Sequence, residues 1–115
     1  MYYIPKTYSE ATDSEKDATC NGCGTKGLGG WLVPDTLWGL DITEICNMHD
    51  WMYAEGKVQS DKWFADRMFL ENMLDLIDRE SSIWLKWLRR TRAMSYYSAV
   101  CDLGSQAFWT GKKHE

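Results

Sequence analysis

Apolar residues return at helical spacing over three stretches of this chain, and no stretch shows a convincing strand alternation. The first helix is expected from Asp41 or Thr43 to about Glu55. Asp41 followed three residues on by Glu44 resembles a capping box, and Gly56 offers a terminating glycine. A second helix is expected after Ser60 as N-cap, with Trp63, Asp66, Phe69, Leu70, Met73, Leu74 and Ile77 on a 3.6-residue repeat. Residues 81–108 support one long or broken helix whose apolar candidates are Ile83, Leu85, Leu88, Met94, Tyr97, Val100, Cys101, Gly104 and Phe108. Residues 1–19 are polar and acidic and read as an extended or loosely packed arm with room for a short helical turn. Residues 20–41 hold six of the nine glycines and Pro34, the composition of a structured loop. The expectation is a mainly α chain, with a polar arm (1–19) and a single domain (20–115) built as a small bundle of three main helices behind a glycine-rich loop.

One stripe breaks the apolar pattern. Cys46, His49, Asp50 and Tyr53 occupy the i, i+3, i+4, i+7 positions of the first helix, where a core-facing helix would carry hydrocarbon. Burying a thiol, an imidazole, a carboxylate and a phenol is costly unless a network, a metal or a substrate satisfies them. Asp66 poses the same problem at the head of the second helix's apolar face. An inward Asp on one helix and an inward His on its neighbour suggest a dyad, the carboxylate holding one imidazole nitrogen and leaving the other as general base. The plainer alternative is a first-turn carboxylate that escapes to water. Asp61 is turned well away from that face and is expected to be solvated.

Asp50 points about 100° away from His49 around the helix, so it does not orient the imidazole. It is placed to bind a cation beside the His, with carbonyl oxygens from a nearby loop. The run Cys20-Asn21-Gly22-Cys23-Gly24-Thr25-Lys26-Gly27 suits that task, since glycines let several carbonyls aim at one point, and hard Ca²⁺ takes oxygen ligands. A rival reading takes Cys20, Cys23, Cys46 and His49 as a Cys₃His structural zinc set. It explains three cysteines and the His, but leaves Asp50, Tyr53 and Asp66 without a role and Cys101 stranded.

Composition narrows the class. A 115-residue chain with net charge −4 suits one soluble domain and argues against nucleic acid as a partner. No leader and no membrane-spanning run is visible in the sequence, so the expectation is a soluble protein, its four cysteines open to three connectivities. Seven Trp and six Tyr are many for this length. Trp84 and Trp87 stand among Lys86, Arg89, Arg90 and Arg92. The segment fits either docking on anionic lipid or a helix whose Trp residues pack inside while its charges face water, and the second reading is the one favoured here.

The run Asn21-Gly22-Cys23-Gly24, then Cys46-Asn47-x-His49-Asp50-x-x-Tyr53, then Asp66-x-x-Phe69, resembles the secreted-type phospholipase A2 superfamily. Within it the closest look is to the short-loop group XII-like and bacterial/fungal-like branches. The likeness covers about residues 20–73. It implies calcium-dependent hydrolysis of the sn-2 ester of glycerophospholipids at a membrane surface or micelle. His49 would be the general base, Asp66 its partner, and Tyr53 the support of that aspartate. Asp50 would be the bidentate calcium ligand, with carbonyls from Gly22, Gly24 and Lys26. The Gly24 amide would hold the oxyanion. Cys23 and Cys46 match the pair that staples loop to helix, which leaves Cys20 and Cys101 as the other disulfide candidates. Asp102 stands at about the chain distance from His49 used by longer-loop branches and competes with Asp66. The insert Gly-Gly-Trp-Leu-Val-Pro and the missing family cysteines depart from the pattern. A phage, viral or exported product acting at membranes is a setting that such a chain would fit. A catalytically silent lipid-binding relative would carry much the same motif.

Overall fold

The computed structural model describes residues 1–20 and 33–112. Its order is α1 (Lys6–Glu10), α2 (Asp13–Thr19), β1 (Thr36–Leu37), β2 (Leu40–Asp41), α3 (Thr43–Glu55), α4 (Gln59–Glu80), α5 (Ile83–Leu103) and α6 (Ser105–Trp109). The three long helices α3, α4 and α5 form a small bundle, as the periodicity implies. Ile45 and Met48 of α3, Phe69, Met73 and Ile77 of α4, and Ala93, Tyr96 and Val100 of α5 share one buried cluster. The expected glycine-rich loop lies largely outside the described residues. What is described of it ends in a two-residue hairpin that the sequence did not announce. Trp38 (φ 48°) and Gly39 (φ 82°) form its turn, both in the left-handed region that a tight antiparallel hairpin requires.

The polar arm is not loosely packed. Tyr8 is buried in the main cluster, and its hydroxyl donates to Glu44 Oε2 at 2.7 Å. Asn72, buried on α4, exchanges two hydrogen bonds with Tyr3, accepting from its N–H at 2.7 Å and donating to its carbonyl at 2.9 Å. Trp51 Nε1 donates to Thr7 Oγ1 at 2.9 Å. These contacts clamp the arm across α3 and α4. They also explain why Asp41 and Glu44 do not form a capping box: Asp41 accepts from the Thr43 N–H at 2.9 Å, whereas the Glu44 carboxylate is drawn to Tyr8.

The other expected caps shift for equally local reasons. Helix α4 starts one residue before Ser60, and it is Asp61 that reaches back, its Oδ2 accepting from the N–H groups of Lys57 at 2.8 Å and Val58 at 3.1 Å. Gly56 ends α3 in extended backbone (φ −66°, ψ 153°), so no left-handed turn calls for it. A Cβ there would lie 2.6 Å from the Phe108 ring, and close approach is the reason for the glycine.

Of the apolar candidates on helix α5, Val100 is buried as expected, but the rest of the helix's inward face is not the one its apolar residues suggest. Ile83 and Met94 are exposed, while Arg89 is buried. Arg89 Nε donates to Leu37 O (3.0 Å), one Nη to Glu80 O (3.2 Å) and Ser81 Oγ (2.8 Å), and the other Nη to Trp38 O (2.9 Å). One guanidinium thus ties the β-hairpin to the α4–α5 turn. Arg89→Ala removes the donors and leaves half-buried carbonyls without partners, each worth about 1–3 kcal/mol. The expected result is a loss of about 2–4 kcal/mol, read as a melting temperature lower by roughly 10 °C or more. A change under about 2 °C would show that the hairpin is held by other contacts.

Candidate functional site

His49 and Tyr53 sit one turn apart on α3 and face α4, where Lys62 and Asp66 stand one turn apart on the facing stripe. All four are buried; Lys62 and Asp66 are each only 1% exposed. Asp66 joins them. Its Oδ1 lies 2.8 Å from His49 Nε2 and accepts from the Tyr53 hydroxyl at 2.6 Å. Its Oδ2 accepts from Lys62 Nζ at 2.7 Å. Lys62 also donates to the carbonyls of Val100 (3.2 Å) and Cys101 (3.4 Å) in the last turn of α5, where carbonyl dipoles favour a cation. The ammonium and the carboxylate therefore both have the partners that burial demands.

The electrostatics fix the charge state. Burial pushes the Asp66 carboxyl up, but the hydrogen bonds from His49, Lys62 and Tyr53 outweigh it and hold the group below the usual carboxylate range. An ionised Asp66 only accepts, so His49 Nε2 must carry the hydrogen. Nδ1, which makes no hydrogen bond to a described residue, is then the nitrogen with the free lone pair. Burial, the charge of Asp66 and the bond to it all raise the Tyr53 phenol above its ordinary value, so it stays a donor.

The ring is also held mechanically. The imidazole meets two tilted rings, Tyr53 at 4.2 Å centroid to centroid and Phe69 at 4.8 Å. Tyr53 in turn meets Phe108 edge-on at 5.3 Å. At Gly104, between α5 and α6, any Cβ would collide with the Tyr53 hydroxyl and the Val100 carbonyl, so a bare backbone is what lets the phenol reach Asp66.

Of the three aspartates considered for His49, the structure brings Asp66 to it. Asp61 is exposed and caps α4, and Asp102 is exposed on α5. Asp50 is half-buried next to His49 on α3. Gly22, Cys23, Gly24 and Lys26 lie outside the described residues, so the expected loop ligands, the oxyanion donor and the Cys23–Cys46 bridge have no geometry here. The root of that loop is placed: Cys20 is a free thiol whose Sγ donates to Asn47 O at 3.2 Å, on the turn of α3 that precedes Asp50. Burial and the charges of Asp50 and Glu44 push this thiol up to about 11. Cys101 is also a free thiol, so neither of these two disulfide candidates is bridged.

Sequence reasoning missed Lys62, Phe69 as a stacking partner, and Gly104. The signal for Lys62 was present, since it stands four residues before Asp66 on the same inward stripe. No protein-family model, no curated protein and no solved structure matches this chain.

Proposed function

We propose that the protein is a calcium-dependent phospholipase A2-like esterase acting on the sn-2 ester of glycerophospholipids. The observation that supports this most is the buried His49–Asp66 pair, with Tyr53 on the same carboxylate oxygen and Nδ1 of the imidazole left to take a proton. In this reading His49 Nδ1 removes a proton from the attacking water, and Asp66 stabilises the imidazolium that forms. Tyr53 and Lys62 keep Asp66 ionised and fixed. The proton then passes from Nδ1 to the leaving alkoxide of the lysophospholipid. Asp50, with carbonyls of Gly22, Gly24 and Lys26, would hold Ca²⁺, whose chemistry is to polarise the ester carbonyl and bind the phosphate. Of the ligands named, Asp50 lies among the described residues, and it suits that ion. Asp50 is a hard oxygen donor on the helix beside which the loop starts, and Cys20 anchors the loop root to Asn47.

The deciding assay is fatty-acid release from mixed phospholipid vesicles with calcium and with chelator. Release that chelator abolishes is expected; none in either condition would leave a silent lipid-binding relative. One tightly held zinc per chain by elemental analysis would overturn the calcium reading in favour of the Cys₃His module. Asp50→Asn exchanges two charged oxygens for one neutral carbonyl. It is expected to weaken calcium binding by about tenfold or more in calorimetric titration. An unchanged affinity would place the ion elsewhere.

A further inference from the structure

The tryptophans of α5 are not core residues. Trp84 is 83% exposed, Trp87 68%, Ile83 82% and Met94 48%. The inward face of α5 runs through Arg89, Ala93, Tyr96 and Val100. Trp84, Trp87 and Met94 recur at i, i+3 and i+10 on the opposite side, with Ile83 beside them, and form one outward apolar stripe. Water contact with so much aromatic surface is unfavourable, and its concentration on one helix face, interrupted only by the exposed Thr91 before Met94, marks a surface that meets something.

The charge around the stripe says what. Residues 81–101 contain Lys86, Arg89, Arg90 and Arg92 and no Asp or Glu, on a chain whose net charge is −4. Lys86 and Arg90 border the stripe on one side. Arg92 borders it on the other, stacked 5.0 Å from the ring of Trp38, itself half exposed. Arg90 is paired with Asp78 at 2.6 Å, whereas the ion pairs among the described residues leave Lys86 and Arg92 without a carboxylate. Trp63 and Phe64 of α4 are exposed as well, but the cavity beside Phe64 carries Glu55 and Asp61 against Lys6, a border of mixed charge with the acidic side in excess.

We propose that the outer stripe of α5 docks on an anionic lipid bilayer, with Trp84 and Trp87 at the headgroup level, Ile83 below them, and Lys86 and Arg92 on lipid phosphates. Indole suits that depth because its body is apolar and its N–H is wet. The far end of α4, where α5 begins, lies about 20 Å from Asp66 by helical rise. Docking here therefore needs neither the His49–Asp66 pair nor calcium. It holds the protein on a surface, and under the proposed function it keeps the enzyme near its substrate.

The test is co-sedimentation of the wild-type chain, in chelator, with phosphatidylcholine vesicles and with vesicles of about one third phosphatidylglycerol. Binding to the anionic vesicles is expected, with Trp fluorescence quenched by bromine-labelled acyl chains. Trp84→Ser with Trp87→Ser should lower partitioning about tenfold or more and abolish the quenching, with circular dichroism unchanged. Lys86→Gln and Arg92→Gln should each cost about fivefold and erode the preference for phosphatidylglycerol. Absence of wild-type binding, or equal binding by the Trp variant, overturns the proposal. So does a wild-type oligomer that the Trp variant dissociates, since the stripe would then be a seam between copies. None of these readouts uses hydrolysis. Turnover of a dispersed short-chain phospholipid, which the Trp variant should retain, reports separately on the proposed chemistry.

Discussion

His49→Gln is expected to lower fatty-acid release by about 10²–10⁴-fold, the usual cost of losing a positioned general base. Glutamine is close to histidine in volume, and its side-chain amide can still donate to Asp66 Oδ1, so the carboxylate keeps a partner. It offers no nitrogen lone pair of comparable basicity where Nδ1 stood. Folding should survive, because Tyr53 and Lys62 continue to hold Asp66 and the substitution removes only one ring from the contacts with Tyr53 and Phe69. The measurement pairs turnover on vesicles with a thermal melt. A fall in rate without a large fall in melting temperature supports the assignment. Activity within a few-fold of wild type would make His49 a structural histidine.

How much of this was legible in the sequence differs from helix to helix, for physical reasons. Asp66 stood out because a carboxylate on an apolar period has no cheap way to be buried, and the neighbouring helix carried a His and a Tyr at matching spacing. Lys62 did not stand out. A lysine on a helix is ordinarily read as a solvated charge whose stem covers apolar surface. Only the third dimension shows that the last-turn carbonyls of α5 wait for its ammonium. The inward face of α5 was hidden for the opposite reason. Its core positions are Arg89, Ala93, Tyr96 and Val100, of modest hydropathy, while the more apolar Ile83, Trp84, Trp87 and Met94 face outward. A pattern argument assumes that the most apolar face is the buried one, and a helix with an external apolar surface breaks that assumption. The arm was misread for want of a long-range view: Tyr3 and Tyr8 find partners in Asn72 and Glu44, far along the chain.

Lys62 and Asp66 should prove inseparable. Asp66→Asn removes the negative charge and leaves the Lys62 ammonium buried among neutral acceptors. Breaking such a pair from one side costs about 3–5 kcal/mol. The same change removes the partner of the imidazolium, so turnover is expected to fall by about 10²–10⁴-fold as well. Lys62→Met breaks the pair from the other side. Its expected signature lies in acid stability. The folded carboxyl of Asp66 sits below its unfolded value, so its contribution is complete above the unfolded pKa and is lost as pH falls through the folded one. Taking away the ammonium while burial remains raises the folded value toward the unfolded one, so the variant starts less stable near neutral pH, loses less on acidification, and its loss ends at a higher pH than in the wild type. The double variant Lys62→Met, Asp66→Asn carries neither charge. It should be more stable than the sum of the two single losses by about 1 kcal/mol or more, while turnover stays as low as in Asp66→Asn alone. Denaturant midpoints across about pH 3–7 provide the test. If Lys62→Met follows the wild-type pH profile and the double variant is simply additive, the contact at 2.7 Å is geometry without energetic coupling, and His49 and Tyr53 alone hold the carboxylate.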